Sequence, residues 1–190
     1  MTWLILGLVL FLGVHSVAIV APSWRDAQAM RLGELPWKGL YSVASIIGFV
    51  LLIVGYGMAR QSPLVLYTPP TWMRHVTLLL MLPVFPLLLA AYLPARIQAA
   101  VKHPMLAAVK LWAFAHLLAN GTLADVLLFG GFLVWAVADR ISVKHRPPRA
   151  VPGAPRRPAN DAIAVVAGLV LYALFVGGLH RWLIGVSPLG

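Results

Sequence analysis

The residues of this chain able to do chemistry are few, and several stand where water should be scarce. His15 lies inside the apolar run LFLGVHSVA; His103, Lys110, His116 and Asn120 share the stretch HPMLAAVKLWAFAHLLANG, residues 103–121; Asp125 follows just beyond its end. Polar and ionisable groups in such surroundings are costly and mark functional sites or interior pairings. Histidine adds a further capacity, because its neutral imidazole ligates metals through one nitrogen while the bond made by the other fixes its orientation. The chain contains no cysteine, which excludes thiolate ligation, Cys-held zinc, iron–sulfur clusters and disulfides. It also lacks a carboxylate pair, a Ser/His/Asp set, a Gly-rich phosphate loop and an HExxH motif, so hydrolase, kinase and metalloprotease chemistry find no support.

A helical period places Met105, Val109, Trp112, His116 and Asn120 on one stripe, with His103 and Lys110 on others. His116 is the deeper histidine. His103 precedes Pro104, a favoured first residue of a helix, and so belongs at an interface as a cap, a headgroup contact or a competing ligand. Lys110 either snorkels or serves the site. His15 has only apolar neighbours on its own helix and reads equally as a ligand or as a histidine bonded to a carbonyl. His75 beside Arg74 and His180 beside Arg181 read as interfacial anchors, and His145 belongs to a basic loop.

The elements that must position these groups follow from composition. Of 190 residues, 61% are hydrophobic and 11% charged, with a mean hydropathy of +0.89; such a sequence cannot cover a water-soluble globule with polar surface. The expected fold is all-α, a polytopic membrane bundle forming a single domain over residues 1–190. Apolar runs cover Thr2 to Ala21, Gly39 to Ala59, Val76 to Leu93, Pro104 to Ala119, Thr122 to Ala138 and Asp161 to Ile184. About 20 helical residues span the hydrocarbon layer, so four of these runs fit comfortably and the fourth and fifth are short. The short pair meets at Asn120-Gly121, a turn signal able to end a helix in a left-handed residue, which predicts a tight hairpin of helices four and five. Such a hairpin sets Asp125 level with His116, where its carboxylate would accept the imidazole N–H and turn the other nitrogen toward a metal; an interfacial carboxylate facing water is the alternative.

The net charge of +10 comes from 15 Lys and Arg against 5 Asp and Glu. Most of the positive residues fall in loops 22–38, 94–103 and 139–160, which the positive-inside rule makes cytoplasmic, with both termini on the other, periplasmic side. The Pro- and Arg-rich segment Arg140 to Pro158, which includes Arg146 and Arg149, reads as a solvated loop and not as a nucleic-acid surface.

His15-Ser16 in the first run, His103-Pro104, VKLWAFAHLLANG and GGFLVWAVADRISVKHR resemble, over essentially the whole chain, the NnrU family of bacterial membrane proteins. The family's name comes from a link to nitrite and nitric oxide metabolism in denitrifying bacteria, and it is similar to the plant and cyanobacterial zeta-carotene isomerase, a membrane heme b protein. The resemblance implies a bacterial inner-membrane location, heme b as cofactor, and His15 and His116 as iron ligands, the latter within Trp112 to His116. The isomerase pattern has a ligating cysteine where this chain has Ala113. Three functions follow as expectations: a heme protein with a redox, sensing or electron-transfer role, a heme-dependent isomerase acting on a polyene, and a heme-free transporter or assembly factor. The expected partners are the lipid bilayer and either a hydrophobic small molecule or a membrane redox protein.

Overall fold

The computed structural model describes residues 1–147 and 153–190; Arg149 of the basic linker lies outside the described residues. The described chain is helical, in the order α1 (Thr2–Val20), α2 (Pro22–Leu32), α3 (Glu34–Ala59), α4 (Met73–Met81), α5 (Val84–Ala90), α6 (Arg96–Val101), α7 (Pro104–Ala119), α8 (Leu123–Ser142), α9 (Ala159–Leu174) and α10 (His180–Ile184). Four segments are long and apolar enough to cross a bilayer: Thr2–Val20, Glu34–Ala59, Met73–Ala90 and Ala159–Ile184. Large apolar side chains face outward, among them Val9 at 67% exposure and Val134 at 70%. Only a lipid solvent tolerates so apolar a surface, which places the chain in a bilayer.

The helices group into two compact units, one made of Met1–Tyr67 and Gly121–Pro147, the other of Thr68–Asn120 and the described residues after 152. The boundary falls at the Asn120-Gly121 turn, so α7 belongs to the second unit and α8 to the first.

In the first unit α1 runs antiparallel to α3 with their backbones in close approach. A Cβ on Gly7 would stand 2.6 Å from the Leu52 nitrogen, and one on Gly48 would stand 2.8 Å from the Phe11 nitrogen. Small residues are what allow such an approach in lipid, where burial between helices brings little hydrophobic gain. α8 lies alongside α1 in the same direction, since Phe132 meets Phe11 at 5.7 Å between ring centres and Trp135 meets His15 at 6.0 Å.

Two features of this unit correct expectation. The first loop holds a helix, α2, begun by Pro22 and stopped at Gly33 in the left-handed region (φ 87°); both are ordinary start and stop signals. The basic linker also begins as helix and not as loop, while its described residues 153–158 are exposed. α8 continues through Arg140 to Ser142, and Arg146 pairs with Asp139 at 2.6 Å with only 15% and 13% of their side chains exposed. Arg146 donates as well to the Ala18 carbonyl at 2.8 Å, a cation at the C-terminal end of α1 where the helix dipole favours it.

The break between α7 and α8 at 120–121 does not use a left-handed Asn120, which is extended (φ −132°, ψ 126°). Gly121 is required by space: the Tyr67 carbonyl occupies the position its Cβ would take. An extended strap after α3 causes the crowding, with Leu66 and Tyr67 donating to the Gly121 carbonyl at 2.8 and 3.1 Å and Leu123 donating to Leu64 at 2.8 Å.

In the second unit the third apolar run breaks at Leu82-Pro83 into α4 and α5, because Pro83 has no N–H to continue the helical ladder. α9 lies antiparallel to this pair: Gly168 meets Pro86, Tyr172 donates to Leu78 at 3.0 Å and Asn160 to Pro94 at 3.0 Å. Thr77 donates to Ala115 at 2.9 Å and ties α4 to α7. The last span is not one regular helix, since a π-type turn over Phe175–Leu179 with non-helical backbone at Gly178 separates α9 from α10.

Candidate functional site

His15 and His116 lie in different units and are prepared in the same way. His15 Nδ1 donates to the Phe11 carbonyl at 2.7 Å, and His116 Nδ1 donates to the Trp112 carbonyl at 2.8 Å, each four residues back on its own helix. A carbonyl can only accept, so Nδ1 carries the proton and Nε2 the lone pair in both rings. This is the arrangement by which proteins fix an imidazole as a ligand.

Their surroundings differ. His15 stacks on Phe11 at 4.3 Å and meets the edges of Tyr41 at 5.2 Å and Trp135 at 6.0 Å, and the Trp135 Nε1 is buried with no acceptor among the described residues. His116 lies 5.4 Å from Trp112 and 6.5 Å from His180, with an angle of only 24° between the two imidazole planes. The expected stripe is therefore real: Trp112 and His116 sit together, and Asn120 donates through Nδ2 to the His116 carbonyl at 2.8 Å, closing the end of α7.

His180, which the sequence offered only as an interfacial anchor, is brought to this site by the last span. Its Nδ1 donates to the Val186 carbonyl at 2.7 Å, a bond made by a chain reversal at Gly185, whose left-handed backbone (φ 80°) suits glycine. No sequence spacing signals the 116–180 proximity; the kink-permitting Gly177-Gly178 pair before His180 is the one local hint.

The remaining candidates take other positions. His103 caps the start of α7, with Pro104 as its first residue. Lys110 is half-buried in the middle of α7 and forms no ion pair among the described residues. Asp125 is buried at 5% exposure rather than facing water. Its carboxylate accepts from the Thr122 backbone at 2.9 Å and hydroxyl at 2.6 Å, and from the Tyr56 hydroxyl at 2.6 Å. With Thr122 it forms a capping box at the start of α8, a T-x-x-D signature legible in the sequence. The Nδ1 proton of His116 goes to the Trp112 carbonyl.

A family model described as NnrU protein matches residues 3–188. The chain belongs to the NnrU family. No curated protein and no solved structure matches the chain significantly. Heme, the group the resemblance implies for this NnrU-family chain, can be held by one or two imidazoles whose orientation is fixed. His15, His116 and His180 meet that requirement by their Nδ1 bonds. No cluster of three or more His, Asp or Glu residues exists among the described residues.

Proposed function

We propose that this NnrU-family chain is a heme b-binding membrane protein with His116 as an axial ligand of the iron, acting in redox, sensing or electron-transfer chemistry linked to nitrogen-oxide metabolism. The observation that carries the reading is the NnrU match over residues 3–188, and the His116 Nδ1 bond to the Trp112 carbonyl is compatible with Nε2 as the ligating atom. The resemblance names His15 as the second ligand, and the residues themselves leave His103 as a competitor. Bound heme would supply one-electron chemistry and a coordination site for small molecules; the chain's part is to orient the imidazoles and exclude water.

In the same reading the bundle has six spans, α7 and α8 joining the four longer segments as a hairpin. Both termini are periplasmic in a bacterial inner membrane, with loops 22–38, 94–103 and 139–160 cytoplasmic. A reporter fused in the 139–160 loop is expected to be active only in the cytoplasm and one at Gly190 only outside it; the reverse pattern overturns the orientation.

A second reading, an isomerase acting on a polyene lipid, draws support from an apolar groove of about 520 Å³ lined by Leu6, Val9, Leu10, Gly13, Val17 and Leu51. The absorption spectrum of the purified protein tests the leading reading. A Soret band with the hemochrome of heme b is expected, and His116→Ala should remove its six-coordinate low-spin form. A wild-type protein that takes up no heme, before or after hemin addition, leaves the transporter or assembly role standing instead.

A further inference from the structure

We infer that His180 supplies the imidazole trans to His116, so that the second unit holds both axial ligands of the iron; this rests on the heme reading proposed above. Three observations converge on it. The first is distance. Two imidazoles bound on opposite sides of one metal, with metal–nitrogen bonds of about 2 Å, set their ring centres about 6 Å apart. His116 and His180 stand at 6.5 Å. Direct ring contact does not require this spacing, for His15 and Phe11 reach 4.3 Å at a comparable inclination of 29°.

The second observation is the tautomer. His116 and His180 both give Nδ1 to backbone carbonyls, at 2.8 and 2.7 Å, so each ring carries its lone pair on Nε2. In the neutral form of that tautomer both Nε2 atoms are acceptors, the role a metal ligand needs.

The third is the backbone that delivers His180. The kink at the non-helical Gly178, two residues before His180, and the left-handed Gly185 after it both depart from a plain helix. An interfacial anchor needs neither. A kink of this kind re-aims the side chains that follow it. Here the kink precedes the histidine and the reversal at Gly185 returns the Val186 carbonyl that orients it.

The near-parallel planes make a spectroscopic signature. Two imidazoles held at 24° to each other would, on binding one iron, separate in energy the two d orbitals that π-bond with the rings and give a rhombic low-spin EPR signal, whereas perpendicular rings give a highly anisotropic one. The full-length, heme-loaded protein is expected to show the rhombic signal. His180→Ala should convert the six-coordinate low-spin spectrum completely to high-spin, and added imidazole should restore it; His15→Ala should leave the low-spin form intact. A low-spin spectrum unchanged by His180→Ala, a highly anisotropic wild-type signal, or loss of the low-spin form on His15→Ala alone would each overturn the inference while heme binding stands. A wild-type protein without a Soret band removes both.

Discussion

The two units hold histidines with one local geometry and two different neighbourhoods. His15 and His116 each give Nδ1 to the carbonyl four residues back, and each has an aromatic residue, Phe11 or Trp112, at that same position. Beyond that shared pattern His15 is met by Tyr41 and Trp135, and His116 by a second imidazole. The Nδ1 bond is what any helix offers a histidine, so it permits ligation without requiring it. What separates a ligand from an aromatic packing partner is a second base at the spacing a metal needs. On that criterion the proposed metal site falls in the second unit, while the first unit is built from closely packed helices.

The largest effect should come from breaking that packing. Asp125 is buried and accepts from Tyr56 and twice from Thr122, so Asp125→Ala strands a buried hydroxyl and a helix N–H together. A loss of about 3 kcal/mol is expected, because hydrogen bonds to charged groups contribute about 1.5–3 kcal/mol each and the stranded partners add desolvation cost. Thermal unfolding in detergent measures it. The heme spectrum of the folded variant should be unchanged, and a shift from low to high spin would contradict the division of labour between the units.

A somewhat smaller effect, about 2 kcal/mol, is expected of Gly48→Val. The new side chain meets the Phe11 backbone at a distance no Cβ normally adopts, and overpacking of this kind costs about 1–3 kcal/mol. Since α1 must retreat, the Phe11 and His15 rings should move with it. A variant that melts like the wild type would show that the α1–α3 approach is looser than described. Asn120→Ala, in the other unit, removes one of two donors to the His116 carbonyl, the backbone N–H at 2.9 Å remaining; about 1 kcal/mol is expected. Because the last turn carries His116, a measurable change in heme reduction potential should accompany it, and an unaltered potential would mean that the α7 terminus does not tune the iron.

How much of this was legible depended on how local the cause was. The Thr2, Pro104 and Leu123 helices, the stripe of Trp112, His116 and Asn120, and the turn at 120–121 follow from periodicity and from Pro, Asn and Gly signals that act within a few residues. α2 also carried its signals, Pro22 and Gly33, but its polar composition read as loop. The turn itself was found for an incomplete reason: the glycine answers to the Tyr67 carbonyl, more than fifty residues away in the chain, and not to its own dihedral angles. Asp125 was singled out as a costly buried charge, while its T-x-x-D cap was the simpler reading. His180 was out of reach altogether, since its approach to His116 depends on α7 and α9 both packing on the α4–α5 segment and on a π-type turn that no residue pattern specifies.

The smallest expected effect is the most discriminating for His15. Trp135 Nε1 is buried without an acceptor among the described residues, and its ring stands edge-on, at 89°, to the His15 ring. A buried donor left unmade costs about 1–3 kcal/mol, whereas replacing it by an apolar group of similar shape is nearly neutral or stabilising. If His15 is a packing residue, Trp135→Phe keeps most of the aromatic contact and removes the unmet donor, so stability should change by less than about 1 kcal/mol, with the gain from the lost donor offsetting the smaller ring. If instead the His15 cluster holds a ligand with a polar edge, the indole N–H is its hydrogen-bond donor, and Trp135→Phe should weaken heme retention during purification while leaving the apoprotein's melting unchanged. Heme-to-protein ratio and apoprotein melting, measured on the same preparation, separate the two outcomes. An undiminished heme ratio with unchanged or higher stability keeps the metal site in the second unit, and a clear fall in the ratio moves part of it to His15.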